Sequence, residues 1–225
     1  MAESVFREGQ WRHRYDDHIA PINRLVDALG KSGHGWLPYV APMYGGVNAR
    51  LLSLLRDPGP MTQASTGSGF LSMENDDATA QAISEYFAAA AIPACEIVPW
   101  NVYPWYINRA PKARELSEGV EPLRSLIELL PRLRVVMLHG VSARAGWKQL
   151  LAKYPDFAVE RGLKIVSTYH TSRQAFWHAD PLVRQSRKDH LESSFAQAAE
   201  VLFDVAHHRS PLVRSTVVGR RRHRD

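Results

Sequence analysis

The sequence predicts an α/β fold in three layers, with a central, mostly parallel four-stranded sheet covered by helices on both faces. This prediction follows from the order of the apolar segments along the chain. Short apolar runs alternate with longer amphipathic segments from about residue 49 to residue 206, which is the pattern of strands joined by crossover helices. The chain contains no internal repeat and no low-complexity linker. We therefore expect one domain over residues 1–225, a length that can enclose a single core.

The elements follow in order along the chain. Residues 1–46 are predicted to form an N-terminal extension. It is helical to about residue 29, because apolar residues recur there at helical spacing. Residues 30–46 are loop-like, because glycine and proline are frequent there. Strands are predicted over 49–55, 95–98, 135–138 and 163–168. Helices are predicted over 78–91, 116–130, 142–153 and 181–206. Asp76 or Asp77 is the expected N-cap of the first of these helices.

Composition limits the classes of function. No apolar run approaches the roughly 18 residues of a membrane span, and the N-terminal residues lack an apolar signal core, so we expect a cytoplasmic protein. Cys95 is the only cysteine, which excludes an internal disulfide and an iron–sulfur cluster. The histidines lack the spacing of metal ligands, so we expect no metal and no cofactor.

The charge of the chain favours a polyanionic partner. The net charge is +5, and basic proteins gain affinity for nucleic acids by releasing counterions. Part of this excess lies in the basic C-terminal tail, residues 219–225. We interpret the tail as a solvated end, with a non-specific phosphate contact as the alternative.

Three predicted strands are followed by residues that can take part in chemistry, and in parallel sheets ligands bind beyond the carboxyl ends of the strands. Asp57 follows the first strand, where a carboxylate can orient water or face a positive charge. Asn101 follows the second and offers a donor and an acceptor side by side, which matches the edge of a pyrimidine. His170 follows the fourth, before hydroxyl residues and an arginine that suit DNA. The plainer alternatives are two turn residues and a structural histidine.

These segments resemble the uracil-DNA glycosylase superfamily, most closely its single-strand-selective monofunctional branch. That branch has Asn-Pro-Gly-Pro and then Thr-Gly-x-x-Phe; residues 57–60 and 66–70 read Asp-Pro-Gly-Pro and Thr-Gly-Ser-Gly-Phe at the same spacing. Its Asn-x-x-Pro is similar to residues 101–104, and its His-Pro-Ser loop to residues 170–172. The resemblance covers about residues 47–178. Asp replaces Asn at position 57, as in the uracil-specific branch, and Thr171 replaces the proline of the loop.

The resemblance implies a monofunctional DNA glycosylase that flips an aberrant base out of DNA and hydrolyses its N-glycosidic bond. Asp57 and His170 are then the catalytic residues: Asp57 faces the cation-like sugar and orients water, and His170 donates to the departing base. The implied base-binding residues are Gly59, Phe70 as a stacking platform, and Asn101 as the reader of the pyrimidine edge. In the uracil-specific branch a tyrosine stands at the position of Gly59 and shuts out thymine. Its absence here implies a wider range of bases, such as 5-substituted uracils or deaminated purines.

The resemblance also implies how DNA is held. Thr171 and Ser172 would hold a flanking phosphate, and Arg173 or Gln174 would fill the gap left in the duplex. The expected partner is uracil-containing DNA, single- or double-stranded, bound by a monomer with no membrane partner. No lyase step is implied, because no motif position supplies an amine nucleophile.

Two other functions fit the same pattern. One is a non-catalytic uracil-DNA-binding protein on the same fold. The other is an unrelated α/β hydrolase of the esterase or nucleotide type, which would be expected to carry a Gly-x-Ser-x-Gly elbow; the sequence has none.

Overall fold

A parallel four-stranded sheet forms the centre of the protein. The computed structural model describes residues 4–63, 67–75, 78–172, 175 and 177–203. The central strands are β2 (Leu51–Leu55), β4 (Ile97–Asn101), β5 (Val135–His139) and β6 (Lys164–Thr168). Their order across the sheet is β4-β2-β5-β6, and every neighbouring pair is parallel. The predicted α/β class and parallel sheet are confirmed.

Helices cover both faces of this sheet. They are α1 (Ser4–His13), α2 (Ala20–Gly30), α3 (Ala78–Ala89), α4 (Ala113–Glu118), α5 (Val120–Glu128), α6 (Gly140–Lys153), α7 (Phe157–Glu160) and α8 (Pro181–Phe203). Helices α3 and α8 pack together, with α8 on β5 and β6, whereas α6 packs on β2 and β5 and against α4 and α5. Within the described residues, no helix is both long and apolar enough to span a bilayer.

The strand sequences fit their places in the sheet. Strand β2 reads Leu-Leu-Ser-Leu-Leu and is almost completely buried, as expected for a central parallel strand covered on both faces. Strand β4 contains Pro99, which has no N–H for a ladder bond. Because β4 is an edge strand, one of its sides needs no such donor.

The prediction of one helix over 116–130 is wrong, since the segment forms α4 and α5 with Gly119 between them. Pro122 lies in the first turn of α5 and cannot donate the hydrogen bond that would continue α4. A Cβ atom on Gly119 would lie 1.8 Å from the carbonyl oxygen of Val102. The chain therefore passes this point only with a glycine.

The prediction of a loop over 30–46 missed a short strand. Strand β1 (Tyr39–Val40) pairs in parallel with β3 (Phe70–Leu71) in a separate two-stranded sheet. Two-residue strands give no periodic signal in the sequence. The predicted cap at Asp76 or Asp77 and the basic tail 219–225 lie outside the described residues.

Candidate active site

A cavity of about 850 Å³ opens at the carboxyl ends of the central strands, against α3. The chain runs from β2 to the edge strand β4 and then returns past β2 to β5. Ligands in open parallel sheets bind at this kind of reversal point. Five residues predicted for the site line the cavity: Asp57, Gly59, Asn101, His170 and Ser172. Apolar side chains supply much of the remaining wall, including Leu55, Met61, Leu71, Met73, Ile83 and Phe87.

Asp57 brings a buried carboxylate to this cavity. Its side chain is 1% exposed, and Oδ1 forms an ion pair with the half-exposed guanidinium of Arg56. Its Oδ2 atom is buried and has no hydrogen-bond partner. Burial raises the pKa of Asp57, while Arg56 and, more weakly, the nearby backbone amides of Asn108 and Arg109 lower it. Those amides approach the carboxylate without making a hydrogen bond of regular geometry to Oδ2. The ionised carboxylate is thus poorly solvated and suited to facing a positive charge.

Asp57→Asn is expected to make the protein more stable and less active at neutral pH. A raised folded-state pKa means that Asp57 stabilises the fold at acid pH, and that this contribution is lost as the pH rises through the folded pKa. Asparagine cannot ionise, so the variant should have the higher melting temperature at pH 7.5, with the difference shrinking toward pH 4. Its single-turnover excision rate should fall because the charge that faces the sugar is lost.

The control for this pair of measurements is Asp17→Asn, which changes an exposed aspartate far along the chain. Neither its melting temperature nor its excision rate should change. An Asp57→Asn protein that is less stable at pH 7.5 would show that the ion pair with Arg56 outweighs burial. Equal excision rates would leave Asp57 as a turn residue only.

Asn101 brings an amide nitrogen without a hydrogen-bond partner to the same cavity. It is the last residue of β4, is 2% exposed, and lies opposite Leu55 in the sheet register. Its Nδ2 atom is buried without a hydrogen-bond partner. A buried donor left unsatisfied costs about 1–3 kcal/mol. A ligand with an acceptor at this position would remove that cost, so the structure supports Asn101 as a binding residue.

His170 is held as a hydrogen-bond donor on the opposite side of the cavity. The backbone N–H of Ser172 donates to its Nδ1 atom at 3.1 Å. The proton of the neutral ring is therefore on Nε2. Gly140 makes room for this residue: its φ is +87°, and a Cβ atom there would lie 3.3 Å from the His170 Cβ atom.

Gly140→Ala is expected to cost both stability and activity. An alanine at a left-handed φ costs roughly 1–2 kcal/mol, and the added methyl group pushes against His170. Gly162→Ala is the matched control, because Gly162 has a φ of +61° but no atom within 4 Å of its Cβ position. Both variants should lose similar stability in denaturant unfolding. Only Gly140→Ala should lower the single-turnover excision rate, by about tenfold or more, because misplaced catalytic groups are costly. Equal rates for the two variants would remove the link to His170.

Phe70 does not lie where a stacking platform is needed. Its side chain is completely buried and does not line the cavity. The ring packs against Trp11 of α1 and Tyr39 of β1, with centroids 5.0 and 6.2 Å away. Because side chains alternate along a strand, its neighbour Leu71 lines the cavity instead. The predicted role of Phe70 is therefore corrected to a core residue.

Thr171 also departs from its predicted role. It is 3% exposed, and its hydroxyl donates to the carbonyl oxygen of Thr79 on α3 at 3.4 Å. A hydroxyl buried in this way does not reach a phosphate, so Thr171 anchors the loop after β6 to α3. Ser172 is half-buried at the cavity. Arg173, Gln174 and Thr66 lie outside the described residues.

His139, the last residue of β5, was not predicted as a site residue from the sequence. It lines the cavity and is 1% exposed. Its Nε2 atom lies 3.1 Å from Ser53 Oγ, and its Nδ1 atom is buried without a partner. Burial, with a smaller effect of His170, lowers the pKa of His139 to about 3. The ring is therefore neutral at physiological pH. The signal that could have found it was its place at the end of the third predicted strand.

Neither a metal-binding group in the described part of the chain nor a known family accounts for this site. Among the described residues, no three His, Cys, Asp or Glu side chains are grouped so that they could hold a metal ion. A scan against protein-family models finds no match, and a search of curated proteins finds no significant match. The function is therefore inferred from the side chains that meet in the cavity.

Proposed function

We propose that this protein is a monofunctional DNA glycosylase that hydrolyses the N-glycosidic bond of deaminated or otherwise aberrant bases. The observation that carries the proposal is the meeting of Asp57, Asn101 and His170 in one cavity at the carboxyl edge of the sheet. Two of them keep buried polar atoms without a partner, Asp57 Oδ2 and Asn101 Nδ2. Such atoms are expected where a polar ligand completes the hydrogen bonding.

The proposed reaction begins when the base leaves the DNA stack and enters the cavity. Asn101 pairs with the polar edge of the base through its amide. The bond between C1′ and the base nitrogen then breaks, and its electron pair leaves with the base. His170 donates from Nε2 to the base oxygen on which negative charge develops. These interactions are stronger in the transition state than in the bound substrate, which is the condition for a faster reaction.

Asp57 acts on the sugar side of the same step. As the base departs, positive charge develops on the sugar, and the carboxylate faces it. Water adds its oxygen to C1′ and gives up a proton, and the departed base takes up a proton to become neutral. The products are the free base and an abasic site. Arg56, paired to Oδ1, leaves Oδ2 available to orient the water.

A hydroxyl–histidine pair inside the cavity is the one observation that favours a serine hydrolase, since Ser53 and His139 are in hydrogen-bond contact. Two facts argue against that function. Ser53 lies in the middle of β2, whereas the nucleophilic serine of an α/β hydrolase stands on a sharp turn after a strand. The pKa of His139, about 3, makes the imidazole a poor general base at neutral pH.

The test is an excision assay with single-stranded and duplex oligonucleotides that contain one uracil or one hypoxanthine. Abasic products are cleaved with alkali and resolved on a gel, with the double variant Asp57→Asn/His170→Ala as the control. We expect strand cleavage by the wild type that depends on alkali, and little by the double variant. Tight binding to uracil-containing DNA without cleavage would support the non-catalytic alternative. The absence of both cleavage and binding would reject the proposal.

A further inference from the structure

Two exposed aromatic side chains lie before and after the loop that carries His170 and Ser172. Tyr169 directly precedes this loop and is 37% exposed, and Trp177 follows it and is 72% exposed. Tryptophan is highly buried on average in folded proteins, and Trp177 is the most exposed tryptophan that the structure describes. Exposed aromatic groups next to a cavity indicate a surface that binds a partner.

The guanidinium group of Arg187 connects the two aromatic residues. Its Nη1 atom donates to the carbonyl oxygen of Trp177 at 3.1 Å, and its Cζ atom lies 5.8 Å from the centre of the Tyr169 ring. The same Nη1 atom donates to the carbonyl oxygen of Ala175 at 3.0 Å. Because Ala175 lines the cavity, the aromatic residues lie next to the cavity rim.

A second arginine fixes the backbone that follows Trp177. The Nη1 atom of Arg184 donates to the carbonyl oxygens of His178 and Ala179, the latter at 3.1 Å. In the described part of the chain, Arg184 and Arg187 thus bind neutral carbonyl groups rather than carboxylates. Their positive charges are therefore not neutralised, and they remain beside the exposed indole ring.

We propose that Tyr169, Trp177, Arg184 and Arg187 form a platform for single-stranded DNA, on which an unpaired base stacks against the indole ring of Trp177. The two arginines supply positive charge for the phosphate groups of the same strand. This inference rests on the proposed function for the choice of DNA as the partner, but it does not require that a base be excised.

Single-stranded nucleic acid fits this combination of groups best. Proteins that hold single strands combine aromatic side chains, on which bases stack, with positive charge along the strand. In a duplex the neighbouring bases already cover both faces of each base, so an exposed indole ring can stack only on an unpaired base. A strand whose aberrant base enters the cavity passes the rim, and the platform then holds a neighbouring nucleotide of that strand.

The first experiment measures the binding of a short labelled oligonucleotide without any aberrant base, as a single strand and as a duplex, by fluorescence anisotropy. Trp177→Ala should weaken binding of the single strand by about 5- to 150-fold, which is the cost of losing one stacked base. Trp177→Phe should weaken it less, because a phenyl ring still stacks. Binding of the duplex should change much less in both variants.

The control is Val159→Ala, which trims an exposed apolar side chain on α7. This helix precedes β6 and so lies toward the amino edge of the sheet, away from the platform. The variant should bind both DNA forms like the wild type. All three variants should keep the wild-type melting temperature, because each changes an exposed side chain.

Two further measurements separate stacking from charge. A base stacked on an indole ring quenches its fluorescence, so the single strand should quench the tryptophan emission of the wild type and quench that of Trp177→Phe much less. Arg184→Gln should make the slope of log affinity against log salt concentration less steep by about 0.7. Arg132→Gln, in the exposed turn before β5, should leave this slope unchanged.

The outcomes separate this inference from the glycosylase proposal. Unchanged affinity and unchanged quenching in both Trp177 variants would overturn the inference, and excision by the wild type would then leave the glycosylase proposal standing. Binding of the single strand through Trp177 without excision of any base would support the inference and count against the glycosylase. Binding to phosphatidylglycerol vesicles but not to the oligonucleotide would overturn the inference, because the platform would then fit a membrane surface.

Discussion

His170→Ala is expected to lower the single-turnover excision rate by about 10²–10³, with a much smaller change in DNA affinity. The reason is that the negative charge on the base, to which Nε2 donates, exists mainly in the transition state. Ser172 fixes the tautomer that makes this donation possible, through its hydrogen bond of 3.1 Å to Nδ1. The rates are measured with enzyme in excess over a labelled uracil or hypoxanthine substrate, and the affinities by fluorescence anisotropy with the same DNA.

The control for this variant is His190→Ala, which removes an exposed histidine from α8. It should excise at the wild-type rate. A His170→Ala protein with the wild-type rate would take His170 out of the mechanism and leave it a structural residue. A variant that loses rate and affinity by the same factor would show that His170 binds DNA rather than stabilising the departing base.

The central elements of the fold could be predicted from the sequence because they depend on local patterns. The apolar run of β2 and the helical spacing of α6 are encoded within the segments themselves. The division between α4 and α5 was not predictable in this way. It depends on the approach of Val102, which follows a strand from a different part of the chain, to Gly119.

The site residues likewise fall into those that the sequence predicts and those that depend on distant contacts. Asp57, Asn101 and His170 were predictable because the carboxyl ends of parallel strands meet at one edge of a sheet. The direction of a side chain within a short strand or loop depends instead on elements outside the motif. Phe70 turns to the core because Trp11 of α1 packs there, and Thr171 is buried because α3 offers it a carbonyl oxygen.

His139 shows a third limit of sequence reasoning. The apolar run of its strand was recognised, but a histidine followed by a glycine gave no motif. Its place in the site depends on two other strands: His139 is hydrogen-bonded to Ser53 of β2, and it lies level with Leu55, which is opposite Asn101 of β4. Only the order of the strands in the sheet brings these residues together.

Gly59→Tyr is expected to lower the rate of hypoxanthine excision by about 10²-fold or more, and to lower the rate of uracil excision much less. The reason is that a difference of one methylene group in a tight pocket changes the relative rates of two substrates by roughly 10- to 200-fold. Gly59 lines the cavity, and its backbone has φ of −74° and ψ of 164°. Any residue adopts this extended conformation. With no atom within 4 Å of its Cβ position, the fold does not require glycine here. The tyrosine ring would therefore take space from the ligand rather than from the core.

Two measurements separate this steric effect from a loss of stability. Gly59→Tyr should unfold at the same denaturant concentration as the wild type or slightly higher, because replacing glycine at an unstrained position restricts the unfolded chain. Gly59→Ala, which adds one methyl group in open space, should change the ratio of the two excision rates only slightly. A Gly59→Tyr protein that is fully folded and excises hypoxanthine and uracil in the wild-type ratio would contradict the prediction. The wall that sets the size of the base would then be formed by other lining residues, such as Met61 or Met73, and not by the position of Gly59.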